Sequence, residues 1–349
     1  WPGVPDAETS AAWLKLKNVK IRNCSAAGIL SRNFRIRATN LLVGDCGQFS
    51  VALTGGGQYA FNHMTIANYW DFGVRNDPAF IMTNTYADIT DLASWESKIQ
   101  PNTKMIFVET PSNPALDIID LEWLGKLAAK HNLILNVDNC FATPYLQNPA
   151  KWGAHIVTHS ATKWMDGQGR VIGGAIVGKK ELIKEVRFFA RHTGPSMSPF
   201  NAWILSKSLE TLAVRMERHC QNALTLAHHL EKHPGVLKVK YPFLASHPQQ
   251  ALAKKQMRHG GGIVTFEHAG GIEGGRKFLN SLKMISHTAN LGDTRTIATH
   301  SASTTHSKLT DAERAAVGIT PGLIRISAGL EDVNDVIRDI DQAMAASKI

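Results

Sequence analysis

Two residues of opposite charge stand where they could do chemistry together. Asp138 closes the apolar run Leu133-Ile134-Leu135-Asn136-Val137, and Lys163 comes just beyond the next such run, Ile156-Val157-Thr158. A carboxylate closing one strand and an amine after the next are what a pyridoxal phosphate site requires. The amine forms a Schiff base with the aldehyde, and the carboxylate keeps the pyridine nitrogen protonated so that the ring withdraws electrons. Taken alone, such a pair more often marks ordinary surface or capping positions, so the neighbouring residues decide.

Those neighbours are Val108-Glu109-Thr110-Pro111-Ser112-Asn113-Pro114, Val137-Asp138-Asn139-Cys140-Phe141-Ala142-Thr143-Pro144 and His159-Ser160-Ala161-Thr162-Lys163. In this order and at these distances they resemble the cysteine and methionine metabolism family of pyridoxal-phosphate enzymes, the cystathionine γ-synthase relatives. Asp166-Gly167-Gln168-Gly169-Arg170, Ser198-Pro199-Phe200-Asn201-Ala202-Trp203 and Ala289-Asn290-Leu291-Gly292-Asp293 are similar to its O-succinylhomoserine sulfhydrylase branch. The resemblance runs from about Ala87 to the carboxyl end.

The resemblance implies that Lys163 is the Schiff-base lysine and later the base that moves protons at Cα and Cβ of the substrate. It implies that Asp138 pairs with the pyridine nitrogen, that Ser160 and Thr162 hydrogen-bond the cofactor phosphate, and that Asn113 contacts the ring oxygen O3′. Arg325, in Ile324-Arg325-Ile326-Ser327, would bind the substrate α-carboxylate, since a planar guanidinium fork meets both oxygens. Asn290 would help to position the substrate. Without the resemblance Arg325 reads as one half of a surface ion pair. His159 and His300 lie beside strand-like runs in a chain with 15 histidines and read as packing or hydrogen-bonding residues. Cys140, next to Asp138-Asn139, reads as a pocket wall rather than a nucleophile.

The implied reaction is γ-replacement in methionine biosynthesis, by transsulfuration or direct sulfhydrylation. Succinate, or acetate, leaves Cγ of an O-acyl-homoserine, and sulfide takes its place to give homocysteine. Cystathionine γ-synthase and the γ- and β-lyases of the same family are the alternatives. The resemblance further implies a type I pyridoxal-phosphate transferase fold, a large parallel-sheet domain with a smaller carboxyl-terminal α/β domain. It implies a homotetramer acting on small molecules, and composition adds the expectation of a cytoplasmic protein with no nucleic-acid or membrane partner.

The elements that must position these residues are visible as periodicity. Met105-Ile106-Phe107-Val108, Leu133–Val137 and Ile156–Thr158 are short apolar runs suited to buried parallel strands. Between the first two, Leu121, Leu124, Leu127 and Ala128 stand at helical spacing behind a candidate cap, Asp120. Strand, helix, strand predicts an α/β layer with its ligand crevice beyond the carboxyl ends of the strands. The expected divisions are 1–87, 88–200 for the cofactor and 201–349 for the substrate.

Before residue 87 the sequence has a different character. Asn18-Val19-Lys20-Ile21-Arg22-Asn23-Cys24 recurs as Asn40-Leu41-Leu42-Val43-Gly44-Asp45-Cys46, and after a nearly equal interval as His63-Met64-Thr65-Ile66-Ala67-Asn68-Tyr69. A β segment at this period resembles coils of a right-handed parallel β-helix, in which each coil buries its apolar face against its neighbours. Lys15, Lys17, Lys20, Arg22, Arg35 and Arg37 alternate with apolar residues. They read as a solvated face or, in the competing view of a non-catalytic chimera, as a stripe for an acidic glycan. Cys24 and Cys46 occupy equivalent positions and predict a ladder of small side chains. Relatives in the family begin with a Tyr-x-Arg segment, a Ser-Gly-Met turn that cradles phosphate, and a tyrosine stacked on the pyridine ring. None of these is found in residues 1–87, so phosphate anchoring at a helix N-terminus is expected to be reduced.

Composition is that of a globular chain, with 44% hydrophobic and 19% charged residues among 349. No apolar run approaches the roughly 20 residues of a membrane helix, and the amino end lacks the basic and apolar regions of a signal peptide. It also lacks an initiator Met, so the natural start is expected upstream or trimmed. Four cysteines without CxxC spacing argue against a zinc knuckle or a disulfide framework and suit a reducing compartment. The net charge of +9 is diffuse, with 8 basic and 5 acidic residues in 1–87 and 30 and 24 in the remainder, and reads as solvated surface rather than a nucleic-acid patch.

Overall fold

The computed structural model describes the backbone of seven strands between residues 14 and 75. It also describes residues 87–348 apart from 89–90, 305–306, 308–309, 311–313 and 316–317. The chain divides into two compact units, Trp1–Tyr86 and Ala87–Ile349.

In the first unit the strands are β1 (Leu14–Lys17), β2 (Lys20–Arg22), β3 (Ala27–Arg32), β4 (Arg35–Cys46), β5 (Phe49–Thr54), β6 (Gln58–Tyr69) and β7 (Val74–Arg75). All pair in parallel: β1 and β2 with β4, β4 with β6, and β5 with both β3 and β7. Leu14 lies opposite Ile36 and Ile36 opposite Tyr59, while Ile29 lies opposite Val51 and Val51 opposite Val74. The pairing offset equals the spacing of the sequence repeat. The basic stripe and the cysteine ladder expected on these strands concern side chains outside the described residues.

The second unit begins with the short helix α1 (Leu92–Ser97), followed by β8 (Met105–Glu109), α2 (Leu121–Lys130) and β9 (Ile134–Asp138). Asp120 caps α2, its carboxylate accepting from Glu122 N–H at 2.9 Å and Trp123 N–H at 3.0 Å. The stripe Leu121, Leu124, Leu127 and Ala128 is buried, as its spacing predicts, against Ile106, Val108, Leu135 and Val137 of the strands. Next come α3 (Thr143–Leu146), β10 (Ile156–Ser160) and β11 (Gly174–Gly178). The sheet order is β11-β10-β9-β8, with β8, β9 and β10 parallel and β11 antiparallel at the edge. Parallel alignment brings the carboxyl ends of three strands, Glu109, Asp138 and Ser160, to one rim.

Helices α4 (Lys180–Thr193), α5 (Pro199–Leu209) and α6 (Leu212–Glu231) lead to a second sheet. The expected boundary at residue 200 lies in the first turn of α5. The second sheet is built from β12 (Val236–Lys240), β13 (Ile263–His268), β14 (Ser286–His287), β15 (Ile297–His300) and β16 (Leu323–Ser327), in the order β12-β13-β16-β15-β14. Helices α7 (Gln250–Gln256) and α8 (Gly271–Ser281) and the last helix, Val333–Ala346, complete it. Residues of α6, α8 and that last helix join Val264, Phe266, Ile324 and Ile326 in one core, where Phe266 and Phe278 meet edge to face at 5.6 Å. Among the described residues no helix is long and apolar enough to cross a membrane.

One glycine is demanded by packing. A Cβ on Gly125, in the middle of α2, would overlap the carbonyl oxygen of Trp152. Alanine is normally the better helix former by about 1 kcal/mol. Here the sign reverses, because both partners are backbone and neither can rotate away. Gly125→Ala is expected to lower the urea midpoint of unfolding, and a raised midpoint would show that α2 does not approach Trp152 so closely.

Candidate functional site

The site is built on the rim where β8, β9 and β10 end. Asp138 is the last residue of β9, and its Oδ1 accepts the backbone N–H of Cys140 at 2.9 Å, an Asx turn that fixes the carboxylate. Burial raises the Asp138 carboxyl above the usual aspartate range, against the pull of that N–H. Glu109 ends β8 in register with Asp138. Burial, and next the charge of Asp138, push the Glu109 carboxyl up to about 7.

Lys163 follows β10 in a tight turn. Its N–H donates to Ser160 O at 3.3 Å, and its own carbonyl accepts Gly167 N–H at 2.8 Å. The turn is clamped from outside by Arg215, whose guanidinium donates to the carbonyls of Trp164 at 2.6 Å and Met165 at 3.2 Å. From the other side, the loop carrying Asn290 lies on the lysine backbone. A Cβ on Gly292, whose φ is +78°, would be 2.6 Å from Trp164 N. The side chain of Lys163 donates to Asn290 Oδ1 at 2.8 Å. Burial lowers the amine below the ordinary lysine range, and the charge of Arg325 acts in the same direction.

Arg325 reaches the site from the second sheet. It is 3% exposed. Its Nη1 donates to Asn113 Oδ1 at 2.9 Å, and its Nη2 to the carbonyls of Ala289 at 2.9 Å and Asn290 at 3.3 Å. Burial lowers its guanidinium to about 10, opposed by the charge of Glu109. Arg325 is thus no surface ion pair.

The structure therefore brings Lys163, Asn290, Arg325 and Asn113 into one chain of contacts, with Asp138 on the same rim. The two residues expected at the phosphate differ. The Ser160 hydroxyl has no hydrogen-bond partner among the described residues, whereas that of Thr162 donates to Gly173 O at 3.2 Å and accepts Gly173 N–H at 3.0 Å. Cys140 is buried just beyond Asp138, its thiol pushed up to about 12 by burial. His159 is buried in β10. His300 faces Ser303 Oγ at 2.8 Å and Pro321 O at 2.7 Å. Sequence reasoning does not single out Glu109 or Arg215. Glu109 sits in the same strand-end position as Asp138, which is the signal that could find it; Arg215 leaves none.

A model of the Cys/Met metabolism PLP-dependent enzyme family matches residues 75–345. The O-succinylhomoserine sulfhydrylase of Pseudomonas aeruginosa is 47% identical over 275 residues, covering 79% of this chain and 66% of that protein. The L-methionine gamma-lyase of Fusobacterium nucleatum is 46% identical over 263 residues, covering 74% and 67%. The chain thus spans about two thirds of the length of these relatives. Among solved structures, metB from Corynebacterium glutamicum superposes with a TM-score of 0.71 at 41% identity, covering 75% of this chain and 67% of the other. Cystathionine gamma-lyase from Lactobacillus plantarum gives 0.73 at 35%, covering 79% and 70%. The second unit has the α/β fold of these pyridoxal-phosphate type I enzymes, as the motifs imply.

Replacing the neutral partner of Lys163 by an acid should restore its basicity. Asn290→Asp is expected to raise the lysine by about one pH unit, because an adjacent opposite charge favours the ammonium form. The pH dependence of acylation at Lys163, followed by peptide mass spectrometry, measures it, and an unchanged midpoint would break the Lys163–Asn290 contact.

Proposed function

The chain belongs to the Cys/Met metabolism PLP-dependent enzyme family, and from that premise we propose that it catalyses γ-replacement on an O-acyl-homoserine, with sulfide displacing the acyl group to give homocysteine. The observation that carries this reading is the junction of Lys163, Asn290, Arg325 and Asn113, an amine and a carboxylate clamp held by one asparagine.

The residues fit the ring end of the cofactor. Lys163 is a half-buried amine with lowered basicity, as a nucleophile toward an aldehyde needs. Asp138 offers a fixed carboxylate for the pyridine nitrogen. Asn113 has its oxygen occupied by Arg325 and keeps its Nδ2 donors for O3′. At the phosphate end Ser160 is the available hydroxyl, and Thr162 joins it only by exchanging its bond to Gly173. Pyridoxal phosphate, when bound, supplies the electron sink that lets the bonds at Cα and Cγ break.

The chain's own share is orientation and proton transfer. Arg325 keeps guanidinium N–H donors beyond those given to Asn113 and the two carbonyls, and these take the substrate α-carboxylate. Asn290, bonded to both the lysine and the arginine, sets the distance between carboxylate and base. Lys163 then removes the proton at Cα and moves protons at Cβ while the acyl group leaves Cγ. In this proposal residues 88–200 hold the cofactor and 201–349 the substrate, in a cytoplasmic homo-oligomer that acts on small molecules. The free thiols of Cys140 and Cys220 suit that reducing setting.

Elimination is the second reading, favoured by the L-methionine gamma-lyase relative. Assays of O-succinylhomoserine with and without sulfide separate the two. Replacement predicts homocysteine that depends on sulfide, and elimination predicts 2-oxobutanoate and ammonia regardless of it. Arg325→Met is expected to lower kcat/KM roughly a hundredfold, since hydrogen bonds to charged groups are worth about 1.5–3 kcal/mol each. The visible band left after incubation with pyridoxal phosphate and desalting tests the cofactor assignment. The wild type should retain it and Lys163→Ala should not; equal spectra would overturn the reading.

A further inference from the structure

Glu109 is the one charged member of the cluster to which the proposed reaction gives no task. It lies across the strand pair from Asp138 in direct register, so two carboxyl groups share one half-buried rim. The backbone N–H of Asn113 lies on its side of the rim and draws its carboxyl down, against burial. The same asparagine's Oδ1 accepts Arg325 Nη1 at 2.9 Å. Glu109 also acts through space on the Arg325 guanidinium and on Cys140. The groups that face it are therefore Asp138 from β9, Cys140 from the following turn, the Asn113 backbone from its own loop and Arg325 from β16.

Two adjacent carboxyl groups in a partly desolvated place do not both ionise freely, and the pair holds one proton more readily than none. Which of them keeps it is settled by the partners. Asp138 has its Asx-turn N–H and is less deeply desolvated, whereas Glu109 is pushed up to about 7. We propose that Glu109 is a positioning residue that carries the proton of the Glu109–Asp138 pair, leaving Asp138 ionised. The assignment of Asp138 to a pyridine nitrogen rests on the function proposed above; the sharing of the proton does not. As pH falls through about 7, Glu109 takes up its proton at a carboxyl oxygen and the repulsion against Asp138 is relieved. Stability of the folded chain therefore declines as pH rises from the ordinary carboxyl range through about 7, because the unfolded chain releases that proton earlier.

The test uses the full chain without added cofactor, labelled with glutamate carrying ¹³C at the side-chain carboxyl. Carbon NMR should show one glutamate signal titrating near 7 in the wild type and lost in Glu109→Gln. In Asp138→Asn the midpoint of that signal should move down, because one source of repulsion is gone. The decline of the urea midpoint with rising pH should shrink in Glu109→Gln as well. A wild type with no such signal, a signal that survives Glu109→Gln, or a midpoint unmoved by Asp138→Asn overturns the proposal. The Lys163-dependent visible band is read separately on the same proteins. If it is absent while the titration is present, the cofactor reading fails and the assignment of Glu109 stands.

Discussion

The guanidinium of Arg325 lies in the core of the carboxyl-terminal sheet, where an unpaired charge would cost several kcal/mol. It is kept there by acceptors from two distant parts of the chain: Asn113, beyond β8, and the carbonyls of Ala289 and Asn290. Since Asn290 also accepts from Lys163, the need to satisfy one buried cation brings the lysine turn, the asparagine loop and the end of β8 together. The site follows from that requirement. Arg325 stands in the middle of β16, paired on both sides, Asp138 ends β9 and Lys163 lies in a tight turn, so the backbone that carries them is fixed before a ligand arrives.

Parallel strand order supplies the second constraint. Because β8, β9 and β10 run the same way, their last residues share a rim, and the register sets Glu109 beside Asp138. An antiparallel neighbour would have put one of the two carboxyl groups at the far edge. Burial then separates the charges into those that ionise readily and those that do not, which gives one rim an acid, a carboxylate, a weakened amine and a retained cation.

Much of this is legible in the sequence. The strands ending at Asp138 and Ser160 and the capped helix behind Asp120 follow from apolar runs and one Asp, which are local signals. The repeat whose copies begin at Asn18, Asn40 and His63 reappears as the pairing offset of β1, β4 and β6, because parallel stacking converts a repeat directly into register. The contact between Asn113 and Arg325 joins distant parts of the chain and depends on how two sheets meet, which no local pattern encodes. The family resemblance implies a phosphate ligand at Thr162, yet its hydroxyl is used by Gly173, because the chain turns back there into β11. Glu109 stands in its motif without a role, since nothing in a sequence says which two carboxyl groups will lie side by side.

The claim that Arg325 and Asn113 join the two sheets at the site is tested most directly by a double-mutant cycle in urea, with Asn113→Ala, Arg325→Met and the double variant. A coupling energy of about 0.5–3 kcal/mol is expected, the range for groups in one hydrogen-bond network. Additive losses, with no coupling beyond error, would contradict it.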